Sequence, residues 1–438
     1  MKDKLSYFFK GSFAVFISEG LEKLINFLFL PIYAIFLMPE HFGEIAWITT
    51  MVSVIALVTN PGVITATLRL YNDKRFEENK KQLFGNATII FFSFVIIIII
   101  GSSAFFIIKE LGESSAPSLS CIVLGLVNAC FIHFKRLWAI NKTSLYKIKS
   151  LFILNIVFLL ISTIVSLYSV TILETKSFGR LLGPAVAYSI CTVYYVWDLA
   201  KFSEFKINTN LLIKQLKLGY SIVPTMIGLE LLILSDKYFI INYLDLKSLG
   251  IYSLSMQVCL IITLIAKAIF KIFNPMYYEL INNKKFNDVT KLIKIIYFII
   301  GCLIIILSLV VPYLINNIFP SAYRECLQFI PYLLIIGAIQ VVKDFSIASF
   351  IINYKTKILG IYCGVACIMN VIIMYALVSD FEIYGIISSI IISYTILIIA
   401  LIMKSNKKQL FISINRMSLL FILVIIISIG IINRYLYI

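Results

Sequence analysis

Acidic residues are scarce in this chain, 22 Asp and Glu against 38 Lys and Arg, and histidine is limited to His41 and His133. Embedded catalysis lacks its parts: there is no His-Glu-x-x-His and no set of Ser, His and Asp. Loops of tens of residues on the side poor in basic residues are also absent, so nothing there could hold a glycosyl donor or acceptor. No enzyme activity is expected. Segments of about ten residues alternating apolar and polar, which a transmembrane β-barrel requires, are missing too. Residues 91–101 and 299–312 are apolar on every side, which removes the barrel.

The eight cysteines form no disulfide framework, because all but Cys326 lie well inside apolar segments. Cys363 and Cys367 share a helix face, but without a nearby His or a further Cys they read as small packing residues rather than metal ligands. No metal or cofactor is expected.

What the chain has in abundance is hydrophobicity. It is 61% apolar with a mean hydropathy of +0.99, and runs of roughly 20 apolar residues recur, the length that crosses ~30 Å of hydrocarbon as a helix. The class is all-α polytopic membrane protein. Spans are expected at 11–37, 43–68, 86–108, 118–139, 150–173, 179–200, 216–243, 250–274, 295–317, 326–352, 358–379 and 384–403, with a thirteenth at 417–433. The basic start resembles a signal peptide, yet Glu19, Glu22 and Lys23 interrupt its apolar stretch and no small-residue cleavage site follows. It is expected to be retained.

A net charge of +16 would suggest nucleic acid in a soluble protein. Here the positive charge collects in alternate loops, such as Arg69, Lys74, Arg75, Lys80 and Lys81, or Lys135, Arg136, Lys142, Lys147 and Lys149. The opposite loops hold only Lys109, Lys176, Arg180, Lys247, Arg324 and Arg434. That bias makes the N-terminus cytoplasmic. No nucleic-acid partner is expected.

The chain carries an internal echo. Gly20-Leu21-Glu22-Lys23-Leu24-Ile25 in the first span matches Gly228-Leu229-Glu230-Leu231-Leu232-Ile233 in the seventh, and Phe42-Gly43 and Leu249-Gly250 follow about twenty residues later. Two halves of six spans would share one orientation and be related by an axis along the membrane normal. The expected division is 1–200 for the first half, 201–217 for a cytoplasmic linker, 218–404 for the second half, and 405–438 for a loop and the extra span.

A charge at the bilayer centre costs about 2.5 to 3.5 kcal/mol on insertion scales, so Glu19, Glu22 and Lys23 must face protein or water. Two readings are open: the first helix walls a cavity, or Glu19 and Lys23 neutralise each other at the i, i+4 spacing. Lys23 and Glu230 lie too deep in their spans to reach an interface easily. Lys237, Lys267 and Lys343 could instead snorkel, and His133 reads as packed or interfacial rather than a proton relay. Pro31 and Pro224 fall in the first and seventh spans, where they bend helices either for movement or for static packing.

Several stretches resemble a known family. They are Leu30-Pro31-Ile32-Tyr33-Ala34-Ile35-Phe36-Leu37, Pro39-Glu40-His41-Phe42-Gly43, Asn60-Pro61-Gly62 and Arg69-Leu70-Tyr71; then Ser235-Asp236-Lys237, Leu249-Gly250-Ile251-Tyr252-Ser253 and Phe319-Pro320-Ser321-Ala322-Tyr323. In order and spacing they are similar to the Wzx-type flippases of O-antigen, lipopolysaccharide and capsule repeat units. These belong to the multidrug/oligosaccharidyl-lipid/polysaccharide exporter superfamily, which includes the multidrug and toxic compound extrusion (MATE) antiporters.

The resemblance covers the chain to about residue 404. It implies a MATE-like bundle in a bacterial inner membrane, with spans 1, 2, 7 and 8 lining a cavity for an undecaprenyl-diphosphate-linked oligosaccharide. On that reading Lys23, Arg69, Lys267 and Lys343 are the phosphate-binding candidates, and Glu22, Glu230 and Asp236 the ion-coupling candidates. The expected partners are the lipid-linked cargo, membrane lipids, and the polysaccharide polymerase and chain-length machinery. The alternative within the superfamily is a multidrug or organic-cation antiporter.

Overall fold

The computed structural model describes residues 20, 25–60, 62–71, 73–110, 118–145, 147–206, 208–282, 286–352 and 356–404, with 421–422, 425–426 and 430. The described residues are helical nearly throughout. The helices are α1 (Leu30–Phe36), α2 (Pro39–Val58), α3 (Val63–Tyr71), α4 (Lys80–Glu110), α5 (Leu119–Ser144) and α6 (Ile148–Thr171). There follow α7 (Lys176–Phe202), α8 (Thr209–Tyr243), α9 (Leu246–Asn282), α10 (Phe286–Ile318), α11 (Cys326–Ile352) and α12 (Thr356–Lys404). Eight of the described helices are long and apolar enough to cross a membrane.

One of the expected spans is interrupted: the second is cut into α2 and α3 around Asn60 and Gly62, and Gly62 has φ +70°, a backbone that a side chain would strain. A Cβ there would also come within 2.4 Å of the Gly219 carbonyl oxygen. The last two expected spans, together α12, are two helices that part at Glu382, φ 48° and ψ −127°, inside the break expected at 380–383. In α1 the helix hesitates at Phe29, just before Pro31, which has no N–H to continue the ladder.

The chain divides into two compact units. The first contains Lys23–Gly43 and Gly228 onward; the second contains Glu44–Ile227. Apolar burial alone organises neither, since lipid is as apolar as leucine and helix association in a membrane rests on close packing and interhelical hydrogen bonds.

In the second unit, α6 and α7 meet through small residues: a Cβ on Gly183 would fall 2.1 Å from Ser166 Oγ and 2.2 Å from the Ser162 carbonyl oxygen. Around this pair, Phe84 and Phe91 of α4, Phe134 and Trp138 of α5, Phe158 of α6 and Tyr195 of α7 form one buried cluster. Polar joints supplement it. Gln215 on α8 donates to Thr67 Oγ1 and to the Leu83 carbonyl, both at 3.0 Å, and so ties α8 to α3 and α4.

In the first unit, Phe345 of α11 packs against Phe270 of α9 at 4.4 Å between ring centroids and against Tyr297 of α10 at 5.2 Å. Tyr297 also stacks on Phe421 at 4.7 Å. The late apolar segment is therefore seated on α10 where it is described.

Loops assigned to one side by charge gather at one end within each unit. In the first, Tyr323 donates its hydroxyl hydrogen to the Leu37 carbonyl, and Lys247 Nζ lies 2.8 Å from Glu325 Oε1. In the second, Glu44 accepts from the backbone N–H of Ser118 at 2.8 Å and from its hydroxyl at 2.9 Å.

Candidate functional site

The first unit buries one carboxylate deep among its helices. Asp236, on α8, is 1% exposed. Its Oδ2 accepts the Tyr252 hydroxyl of α9 at 2.6 Å, and its Oδ1 accepts the backbone N–H of Lys237 at 2.7 Å. Among the described residues no basic side chain lies within ion-pair distance of it. Lys237, half-buried and next in sequence, acts on it electrostatically; even so, a carboxylate this buried with two donors is costly to keep ionised, and a proton or a small cation would ease that cost.

Acceptors stand close by. Asn370 of α12 donates to Ser235 Oγ at 3.2 Å, beside Asp236, while its own Oδ1 has no hydrogen-bond partner among the described residues. An amide oxygen held buried without a donor is an unsatisfied acceptor. Tyr394, also on α12, is hydrogen-bonded to Gln340 of α11 and lies within the electrostatic reach of Asp236. Among the described residues no three His, Cys, Asp or Glu come together. The donor set is one carboxylate with neutral oxygens, which suits a proton or a monovalent ion rather than a transition metal.

Further along α11, Lys343 is 8% exposed. Its ammonium lies 3.5 Å from Asp344 Oδ1 and 4.9 Å from the Tyr394 ring centroid. The cation is thus shared between a carboxylate and an aromatic face.

The other sequence candidates are placed as follows. Glu230 is exposed on α8, six residues before Asp236, and Lys267 is exposed on α9. Arg69 is exposed in the last turn of α3. Lys237 is half-buried. Glu19, Glu22 and Lys23 lie outside the described residues. The structure thus brings Asp236 and Lys343 into the surroundings of one residue, Tyr394, within one unit.

The second unit holds two buried polar joints. His133, 2% exposed, lies with Nε2 2.7 Å from Thr59 Oγ1 and stacks on Phe91 at 5.0 Å. Thr59 Oγ1 also lies 2.8 Å from the Ile55 carbonyl, an arrangement that lets Thr59 give its hydrogen there and accept from an imidazole protonated on Nε2. At the far end of α5, Lys142 is paired with Asp198 of α7, and Trp138 Nε1–H donates to the same carboxylate at 2.6 Å.

Sequence reasoning attended to charges and passed over Tyr252, Asn370, Gln340 and Tyr394. Asn370 had a signal: an amide twelve residues into an apolar span must find partners. Tyr252 stood inside a quoted family stretch without a role.

A family model for polysaccharide biosynthesis proteins matches residues 32–328. No curated protein matches the sequence. Among solved structures, an outward-facing multidrug resistance MATE family transporter of the MOP superfamily is similar, at 13% identity and TM-score 0.58 over 93% of this chain and 95% of that one. An inward-facing structure of such a transporter is similar at 12% and 0.56, over 97% and 95%. So is a MOP superfamily transporter from Pyrococcus furiosus, described with a binding pocket of reversed polarity, at 14% and 0.60 over 90% and 95%. At such identities the likeness is one of fold: all-α, polytopic and MATE-like.

Proposed function

This chain belongs to the polysaccharide biosynthesis protein family, and we propose that it is a flippase for an undecaprenyl-diphosphate-linked oligosaccharide repeat unit. The observation that carries this reading is the family match over 32–328 on a chain whose fold is that of membrane transporters. It works in the cytoplasmic membrane of a bacterium, with its N-terminus inside, and moves cargo from inner to outer leaflet by alternating access. O-antigen or capsule assembly is the setting, and the polymerase and chain-length machinery receive the product.

The physics of the cargo sets the residue roles. A diphosphate cannot cross ~30 Å of hydrocarbon unless cations and water meet it. Lys23 and Arg69 serve as phosphate contacts, Arg69 from an exposed helix end. Lys267, exposed, joins them, while Lys343 has to exchange Asp344 and Tyr394 for phosphate. Asp236, with Glu22 and Glu230, couples the movement to a cation gradient, and the unpartnered Asn370 Oδ1 completes the ion's shell beside Asp236.

A second reading is a multidrug or organic-cation antiporter, favoured by the likeness to multidrug transporters. Cells depleted of the protein distinguish the two. Accumulation of a diphosphate-linked repeat unit on the cytoplasmic face, with loss of external polymer, supports the flippase. Sensitivity to cationic dyes with unchanged polymer supports the antiporter. A repeat unit delivered outside but left unpolymerised overturns both and points to an assembly enzyme.

A further inference from the structure

Two glycines at corresponding places in the first unit lie against each other's helix backbone. Gly43 ends the first turn of α2, four residues after Pro39; Gly250 ends the first turn of α9, four residues after Leu246. A Cβ built on Gly43 would sit 1.9 Å from the Leu246 carbonyl oxygen, and one built on Gly250 would sit 1.8 Å from the Pro39 carbonyl oxygen. The contact is reciprocal: each glycine lies on the carbonyl that begins the other's turn. Real Cβ atoms do not come so close, and because the obstacle on both sides is backbone, neither helix could yield by rotating a side chain.

Two further observations tie the contact to its surroundings. The Leu37 carbonyl, just ahead of α2, takes the hydroxyl hydrogen of Tyr323, and the Tyr323 ring meets Phe42 edge-on at 5.8 Å. Beside the second glycine, Lys247 bonds Glu325 at 2.8 Å. The segment around 323–325 thus grips both helix starts. Apart from Tyr323 itself, what holds the clasp is weak and easily reversed: carbonyls against glycine Cα–H groups, and an exposed ion pair. The glycine contact itself separates without leaving a side chain unpaired.

We propose that the Gly43–Gly250 clasp is the reversible outer closure of the transport cycle, parting when the path opens to the outside. This rests on the alternating-access reading above and adds to it the backbone contact that sets the closed state. Glycine is needed at both positions because any side chain would hold the helix starts apart.

The test needs no cargo, so it can fail while the flippase reading stands, and the reverse. Spin labels are placed at Glu40→Cys and Ser248→Cys in the full chain with Cys302→Ser, Cys302 being the exposed member of the eight cysteines. The protein is reconstituted in liposomes and inter-label distances are measured across pH and sodium concentration. The expected result is two populations, a short and a longer one, with the short one lost in Gly43→Ala and in Gly250→Ala. A single short population under every condition would make the contact a fixed joint and overturn the proposal. Alanine variants that keep the short population would overturn it equally. If alanine at Gly43 prevents folding, Gly250→Ala gives the same reading from the other side of the contact.

Discussion

Tyr252 donates its hydroxyl hydrogen to Asp236 at 2.6 Å, joining α9 to α8 at a carboxylate that is 1% exposed. The bond both holds two helices and sets the ease with which Asp236 gives up its ligand. Asp236→Asn keeps an acceptor for Tyr252 but cannot ionise, so the protein is expected to fold while transport loses its dependence on the proton or sodium gradient. Gradient dependence equal to that of the parent would remove Asp236 from coupling. Tyr252→Phe is expected to lower stability by about 0.6 to 1.7 kcal/mol, the range for interhelical hydrogen bonds in membranes. Thermal unfolding in detergent measures it.

Thr59 and His133 make an asymmetric pair. Thr59→Val removes the acceptor and leaves a buried imidazole N–H unsatisfied, at a cost of about 1 to 3 kcal/mol. Thr59→Ser retains the oxygen and is expected to cost less. Equal losses for the two variants would mean that the methyl group, not the hydroxyl, matters at this position.

Lys142 and Asp198 are expected to show strong coupling. Removing one partner of a buried pair costs about 3 to 5 kcal/mol, because the other charge is left uncompensated. Lys142→Met should therefore destabilise severely, and Lys142→Met with Asp198→Asn should recover much of the loss, since Asn still accepts from Trp138. A double-mutant cycle on unfolding midpoints reads the interaction directly. Additive losses would reduce the pair to mere proximity.

Asp73 lies outside the spans, in the turn after α3, and its carboxyl titrates low. Hydrogen bonds from the Arg75 side chain, at 3.1 Å from Nε and 2.6 Å from the guanidinium end, and from the Arg75 backbone hold it down to about 2 from an ordinary 3.8. A depressed folded value means that the pair supports this turn fully above pH 3.8 and ceases to do so as pH falls through about 2. Arg75→Ala is expected to return the carboxyl toward its ordinary value, measured by carbon NMR of labelled Asp73. An unshifted titration would show that the turn, rather than Arg75, sets it.

Much of the fold was legible because the membrane imposes a coarse rule. Apolar runs of span length became helices, and the run expected at 326–352 coincides with α11 at both ends. The interruption of the second span was half visible: proline stood in the sequence at 61, but the close approach of Gly62 to Gly219 joins residues more than a hundred apart. Glu382 lies in the break expected at 380–383, where the backbone leaves the helix. At the candidate site, Asp236 announced itself as a charge in an apolar stretch, whereas Tyr252 and Asn370 became meaningful only through neighbours from other helices. Periodicity could not supply that, because a helix that is apolar all round does not reveal which way a polar residue faces.

The first unit is assembled from the beginning and the end of the chain, and this bears on its synthesis. Lys23–Gly43 leave the ribosome about 185 residues ahead of Gly228, where the rest of that unit begins. At about 5 to 20 residues per second the early segment waits roughly 10 to 40 seconds for its packing partners. Through that interval the surface of Leu30, Tyr33 and Ala34, buried in the finished protein, is turned to lipid or to the insertion machinery, and the Leu37 carbonyl waits for Tyr323. A chain stopped short of Tyr323 would leave the Leu37 carbonyl at this corner without its hydroxyl partner.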